Sequence, residues 1–286
     1  MRLFERFIQS PFAIILLPFS WIWGFACFIR HACYDKGLFP IHKVNVPVVS
    51  VGNIAVGGRG KTPLVILLGK IFSSYKVAII SRGYGGGDEM LVIKRHLPNA
   101  LLYANPDRVA SANQALADGA DLILMDDGFQ HRRLHRDFDL VLVQAKDFKD
   151  HYLPAGQLRD SVRRLAFATV IQSLETKASC SIKLAGERVA IFCGIGSPER
   201  FKKTVLELGA IVVSELYLAD HEPIGSARLQ AFYSQASLLG VKYLVCTEKD
   251  EVKLSEHNLP IISVRIETTP KGLENVIEKI KERLDN

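Results

Sequence analysis

Beyond Pro40, short runs of valine, isoleucine and leucine alternate with stretches whose apolar residues recur at helical spacing. Five runs predict strands in the first half: Val48–Val51, Val77–Ile80, Leu122–Asp126, Leu140–Gln144 and Thr169–Gln172. Four more follow at Val189–Cys193, Ile211–Leu218, Leu244–Thr247 and Ile261–Ile266. Such unbroken apolar runs belong to strands covered on both faces, and helices between them make those strands parallel. Thr62-Pro63 opens a helix toward Phe72, with proline where a first-turn N–H has no partner to lose. Ser197-Pro198 opens another that ends near Gly209, and Pro270–Leu284 reads as a terminal amphipathic helix carrying Leu273, Val276, Ile277 and Ile280 on one face.

The first forty residues have a different pattern. Phe12 to Ile29 is almost wholly apolar, includes Trp21 and Trp23, and is flanked by Arg2 and Arg6 before and Arg30, His31 and Lys36 after. A run of about 18 apolar residues is near the lower limit for a bilayer span. Pro18 and the two tryptophans suit an interfacial or re-entrant helix as well. A buried core helix and a cleaved signal peptide are the other readings, the latter without a clean cleavage site. The polar stretch Glu175–Glu187 separates two α/β blocks. The expected fold is therefore α/β: a membrane-associating segment at 1–40, a P-loop NTPase-like domain with a helix-covered parallel sheet at 41–180, and a smaller α/β domain at 181–286.

Charge and cysteine content narrow the partners. A net charge of +6 suits an anionic partner, whether nucleic acid, a phosphorylated small molecule or an anionic membrane. Basic residues cluster at Arg132, Arg133 and Arg136 and at Arg159, Arg163 and Arg164. A solvated face is the usual meaning of such runs. Without interleaved aromatics they favour phosphate groups or lipid headgroups over nucleic acid, and nothing implies an obligate protein partner. Five scattered cysteines form no Cys-x-x-Cys and fit reduced thiols.

The sharpest chemical signal is Ala55-Val56-Gly57-Gly58-Arg59-Gly60-Lys61-Thr62, which follows a strand and opens a helix. In such a P-loop, glycines let backbone N–H groups approach phosphate oxygens and the helix N-terminus adds positive potential. Lys61 would reach the β- and γ-phosphates of ATP, and Thr62 would ligate Mg²⁺. A metal-side carboxylate is expected at the end of a neighbouring strand. Leu122–Met125 leads into Asp126 and Asp127, one to bind Mg²⁺ or its water shell and the other to support it. The loop Ser81–Glu89 carries Arg82, which could steady phosphate charge, and Asp88, which could take a proton from an attacking hydroxyl; a plain surface turn is the alternative. His221 could tune that carboxylate, or be a solvated loop histidine.

These pieces together resemble the tetraacyldisaccharide 4′-kinases of lipid A synthesis. The resemblance rests on Ser50–Asn53 leading into Gly57–Pro63, Ser81–Gly85, Gly87–Glu89, Asp126–His131, Leu153–Gly156 with Leu158-Arg159, Gly194–Pro198, Asp220-His221 and Thr247–Asp250. It implies transfer of the γ-phosphate of ATP to the 4′-hydroxyl of an acylated disaccharide 1-phosphate, forming lipid IVA at the cytoplasmic face of the inner membrane. It also implies two α/β domains with the active site in the cleft between them, and membrane lipids as partners of residues 1–40. Within the resemblance, Asp88 matches a general base and His221 its paired histidine. Lys61, Thr62, Asp126 and Asp127 match nucleotide and Mg²⁺ positions. Glu89, Arg108, Gln130 and His131 lie in matching motifs and, with Arg82, are substrate candidates. Met90, Arg59, Gln157 and Asp160 depart from the family pattern, which there has a proline, a small residue, a proline and a glutamate.

Two other classes fit the sequence less well. A membrane-localised NTPase switch of the partitioning type carries a lysine where this chain has Val56, and Thr247–Asp250 has the wrong order for guanine recognition. A kinase for a soluble sugar shares the chemistry but leaves the apolar amino-terminal segment without a purpose.

Overall fold

The computed structural model describes residues 11–83, 87–219, 222, 224–254 and 258–285, with residues 11–13 as backbone only. A 3-10 turn at Pro11–Leu16 leads into α1 (Leu17–Asp35). Then come β1 (Val48–Asn53), α2 (Lys61–Ile71), β2 (Val77–Ser81), α3 (Asp88–His96), β3 (Leu101–Ala104), α4 (Arg108–Ala117), β4 (Leu122–Asp126) and β5 (Phe138–Leu142). Two more 3-10 turns, Ala145–Lys149 and Val162–Phe167, precede β6 (Thr169–Ile171) and β7 (Thr176–Ser179). The chain ends with β8 (Arg188–Cys193), α5 (Pro198–Glu207), β9 (Ile211–Tyr217), α6 (Ser226–Ser237), β10 (Tyr243–Thr247), α7 (Glu248–Glu251), β11 (Ile261–Thr268) and α8 (Glu274–Asp285).

These elements form two compact units. One comprises Arg2–Tyr84, His96–Glu175 and Thr269–Asn286; the other comprises Gly85–Arg95 and Thr176–Thr268. The first has a six-stranded sheet in the order β3-β2-β4-β1-β5-β6, parallel throughout. Strands β1, β2 and β4 are buried along their whole length, as their continuous apolar runs require. One core cluster packs α4 residues Val109, Ala112 and Ala115 against Ala78, Ile80, Ile123 and Met125 of the sheet. The terminal helix α8 belongs to this unit, burying Val276, Ile277 and Ile280 as the amphipathic pattern predicts. In the second unit, β11, β10, β8 and β9 are parallel and β7 adds an antiparallel edge.

All nine expected strands are present, with β5 lying two residues earlier than expected, at Phe138–Leu142 instead of Leu140–Gln144. Two edge strands were not expected. β7 is Thr-Lys-Ala-Ser inside the polar stretch read as a boundary, and β3 is only four residues long. An edge strand needs a backbone partner more than an apolar face, so it leaves little trace in a hydrophobic pattern. The Ser81–Glu89 segment was read as loop to its end, but Asp88 and Glu89 begin α3. There Met90 occupies the first helical turn, a position that tolerates proline equally well.

Helix α1 is not a core helix. Phe19, Trp21, Ile22, Phe25 and Phe28 are each more than half exposed, and the buried residues are Ser20, Cys27, His31 and Tyr34. Pro18 falls in the first turn, where its missing N–H costs no intrahelical hydrogen bond.

Helix α2 is held by Leu64, Val65 and Leu68, all without solvent exposure, while Lys70 on the same helix is exposed. Leu68→Ala is expected to cost ~2–5 kcal/mol through lost burial and a residual cavity. Lys70→Ala should stay within ~0.5 kcal/mol. Chemical denaturation of both proteins checks the contrast.

Candidate active site

The P-loop leaves the carboxyl end of β1, and β4 lies beside it with Val51 in register with Asp126. Ligands gather at such strand ends, where connections depart to opposite sides of a parallel sheet. Gly57 and Gly60 adopt φ of 109° and 88°, which side chains rarely tolerate, and a Cβ on Gly57 or Gly58 would meet open space. The turn is therefore shaped for close approach from outside. Ala55 and Val56 are steadied by a neighbouring segment: Ala55 bridges to Leu158, and Val56 N–H donates to the Gln157 carbonyl at 2.9 Å. Since that contact uses the backbone carbonyl, glutamine in place of proline at 157 leaves it intact. The Arg59 side chain points neither to solvent nor toward a phosphate. Its guanidinium is buried and donates to the fully buried Asp147 carboxylate at 2.7 Å.

Lys61 Nζ stands 3.5 Å from Asp127 Oδ1, and Arg159 forms an ion pair with the same carboxylate. Arg159 Nη1 donates to Asp127 Oδ2 at 2.9 Å, and its other arm hydrogen-bonds the Asn53 side chain. Burial pushes the Asp127 carboxyl up, but Arg159's hydrogen bond and the charges of Lys61, Arg159 and Arg108 outweigh it and hold the group well below the usual carboxylate range. Asp127 also has φ of 54°, the one non-glycine residue in the left-handed region among those described. Asp126 and Thr62 are both buried, at the carboxyl end of β4 and in the first turn of α2. Each offers a hard oxygen donor of the kind Mg²⁺ takes.

A cavity of about 540 Å³ opens beside this cluster, within the same unit. Arg82, Arg108, Asp127, Gln130, His131 and Arg159 line its polar side, and Trp23, Ala26, Cys27 and Arg30 of α1 complete it. Arg108 is almost wholly buried and donates to the Asp126 carbonyl at 3.0 Å. Gln130 is fixed by its amide, which donates to the Asn53 carbonyl at 2.8 Å. Burial, with the charges of Arg108, Arg133 and Arg136, pushes His131 down to about 4, so it is a neutral imidazole near pH 7. Its Nε2 is buried with no hydrogen-bond partner among the described residues.

Asp88 and Glu89 belong to the other unit. Asp88 is buried at the start of α3, its Oδ1 accepting the Glu89 N–H at 3.0 Å and its Oδ2 3.7 Å from Lys253. Lys253 also contacts Asp250 Oδ1 at 3.1 Å, and that oxygen accepts the Gly194 N–H at 3.0 Å. The Gly194–Pro198 and Thr247–Asp250 motifs thus meet around one carboxylate, and Glu89 pairs with Lys249. His221 lies outside the described residues.

Several residues emerge only from the structure. Arg159 was noted as part of a basic run, yet it organises the P-loop neighbourhood. Arg132, Arg136 and Arg164 of the expected solvated clusters are likewise ion-paired, with Asp35, Asp139 and Asp35 respectively. The cavity-lining Trp23 and Arg30 come from the apolar amino-terminal segment, whose pattern favours a membrane. Periodicity shows which residues share a face but not what that face meets.

A family model described as tetraacyldisaccharide-1-P 4′-kinase matches residues 12–180 and 169–285. The tetraacyldisaccharide 4′-kinase of Syntrophus aciditrophicus is 32% identical, aligned over 96% of this chain and 95% of its own. That of Brucella suis is also 32% identical, over 95% of each chain. The crystal structure of the "apo" form of LpxK from Aquifex aeolicus in complex with ATP is similar with a TM-score of 0.77 at 27% identity, covering 94% of this chain and 99% of that one. With the model matched from end to end and relatives aligned over nearly their full lengths, this chain belongs to the tetraacyldisaccharide 4′-kinase family.

Proposed function

We propose that the strand ends around Lys61, Asp127 and Arg159 form the nucleotide site of this enzyme, and that the adjoining arginine-lined cavity receives its lipid. The chain is an ATP-dependent kinase that phosphorylates the 4′-hydroxyl of tetraacyldisaccharide 1-phosphate, giving lipid IVA in lipid A biosynthesis. The observation that carries the assignment of residues is the shared Asp127 carboxylate, which poises Lys61 at the mouth of the P-loop.

Phosphoryl transfer asks mainly for positioning and charge neutralisation. In this reading Gly57, Gly58, Gly60 and the flanking Ala55, Val56 and Arg59 cradle the phosphates with backbone N–H groups. Lys61 neutralises the β- and γ-phosphates. Thr62 and Asp126 would hold Mg²⁺, which would supply further neutralisation, and Asp127 would support them. Asp88 takes the proton of the 4′-hydroxyl as its oxygen bonds to the γ-phosphorus and the bond to the leaving ADP oxygen breaks, with His221 assisting that carboxylate. Arg82, Arg108, Gln130 and His131 bind the polar part of the lipid, and Glu89 is placed beside the base.

The exposed aromatic face of α1 supports a helix lying against the cytoplasmic face of the inner membrane. α1 is long and apolar enough to cross a bilayer by length and composition. Its polar stripe, however, is engaged by protein, which favours an interfacial position.

Three measurements test these assignments. With labelled ATP and lipid A disaccharide 1-phosphate in detergent micelles, Asp88→Ala should lose roughly 10²–10⁴-fold in kcat while ATP affinity holds; equal loss of both removes the base. Phe25→Glu with Phe28→Glu should release the protein from phosphatidylglycerol vesicles while leaving activity on micellar lipid; unchanged flotation would place the membrane contact elsewhere. The third is pH dependence. An unfolded histidine takes its proton near pH 6.5, whereas folded His131 resists protonation down to about 4. Proton uptake in that window favours the unfolded chain, so stability falls as pH drops from about 6.5 to 4. His131→Gln should lessen that slope in denaturation curves taken across the range.

A further inference from the structure

Helix α1 presents its large apolar side chains outward and buries small and polar ones. Ser20, Gly24, Cys27, His31 and Tyr34 succeed one another by four, three, four and three residues, which sets them on one stripe. This stripe meets the segment 152–160. Ser20 Oγ donates to the Tyr152 carbonyl at 2.7 Å and accepts the Ala155 N–H at 2.9 Å. Gly24 lies so close to the Tyr152 ring that a Cβ would sit 2.8 Å from it. At the stripe's other end His31 Nε2 is 2.6 Å from Asp160 Oδ1, with both side chains buried.

Asp160 Oδ1 is the hydrogen-bond partner of Nε2, and Arg132 Nη1 lies 3.4 Å from Nδ1 while donating to the His31 carbonyl at 3.2 Å. Asp160 Oδ1 also accepts the Ser161 N–H at 2.7 Å, while Oδ2 has no hydrogen-bond partner among the described residues. His31 is therefore the chief side-chain partner of this buried carboxylate.

The residue beside it is Arg159. The Arg159 and Asp160 N–H groups both donate to the Ile54 carbonyl, at 2.8 and 3.3 Å, where the chain enters the P-loop. The Arg159 carbonyl faces α1, accepting from Trp23 Nε1 at 3.4 Å and Cys27 Sγ at 3.6 Å. Its guanidinium faces the opposite way, to Asp127 and Asn53. The dipeptide is thus tied to α1, to the P-loop entry and to the carboxylate that holds Lys61. Membrane anchoring needs only the outer face of α1; a buried imidazole–carboxylate pair on its inner face is costly to desolvate and serves orientation.

We propose that His31 and Asp160 are positioning residues for the nucleotide site: they fix Arg159, and through it Asp127 and Lys61, so that seating of α1 sets the geometry of the P-loop. The inference rests on reading Lys61 and Asp127 as part of the ATP site. By linkage, what α1 does to ATP binding, ATP binding does to α1.

The test combines kinetics in detergent micelles, ATP titration calorimetry, vesicle flotation and amide hydrogen exchange on the full chain. His31→Ala is expected to weaken kcat/KM for ATP roughly tenfold or more, to raise exchange at residues 56–61 and 159–161, and to leave vesicle binding unchanged. His31→Gln, which restores a donor toward Asp160, should recover part of both losses. In the wild type, Mg-ATP should slow exchange at residues 27–34 as well as at the P-loop; should His31→Ala fail to fold, this measurement decides alone. Faster exchange confined to α1 with kcat/KM for ATP within about twofold of wild type, or no slowing of α1 by Mg-ATP, overturns the proposal. A Lys61→Ala protein with undiminished ATP affinity would instead overturn the underlying assignment of the nucleotide site.

Discussion

Asp127 accepts from Arg159 on one side and faces Lys61 on the other, from a backbone conformation that L-residues seldom take. The P-loop lysine, an arginine from a segment some thirty residues downstream, and the end of β4 converge on this carboxylate. Two cations beside it outweigh the burial that would otherwise favour its protonated form. The left-handed turn costs about 1 kcal/mol for an ordinary side chain. Asparagine and aspartate carry that cost most easily after glycine.

Around this point the first unit is built from parts that each satisfy a local requirement. The strands are apolar because both faces are covered. The glycines of the P-loop adopt φ values that leave open space above the turn. Arg59 shows how local context redirects a residue: in a glycine-rich loop, its guanidinium is drawn inward by the buried Asp147 and rivets the loop. The arginines elsewhere follow the same rule. Most of the basic clusters are spent on internal ion pairs, and the positive potential of the cavity comes from the few whose partners leave them facing it.

Helix α1 combines two solvents in one element. Its outer face carries exposed aromatics suited to a lipid interface, and its inner face carries serine, glycine, cysteine and histidine suited to close packing on protein. The cavity draws on both aspects, since its wall includes Trp23 and Ala26 beside Arg30.

The sequence by itself determined the parallel α/β architecture, the nine principal strands, the P-loop and the pair of aspartates after β4. Each is encoded over a few consecutive residues: continuous apolar runs demand burial on two faces, and glycines beside a lysine demand a particular turn. The family was legible for the same reason, through strings of adjacent residues. Tertiary structure decided what no local pattern can hold. Edge strands β3 and β7 escaped because a partner's backbone, not their own side chains, makes them strands. Asp88 read as loop because a helix start next to glycines has little periodicity to show. Arg159, His31 and Asp160 stood in plain view as a basic run, a flank and a departure from the family pattern. Their significance arises only when residues more than a hundred positions apart are brought within 3 Å, where burial turns a modest polar pair into a fixed point.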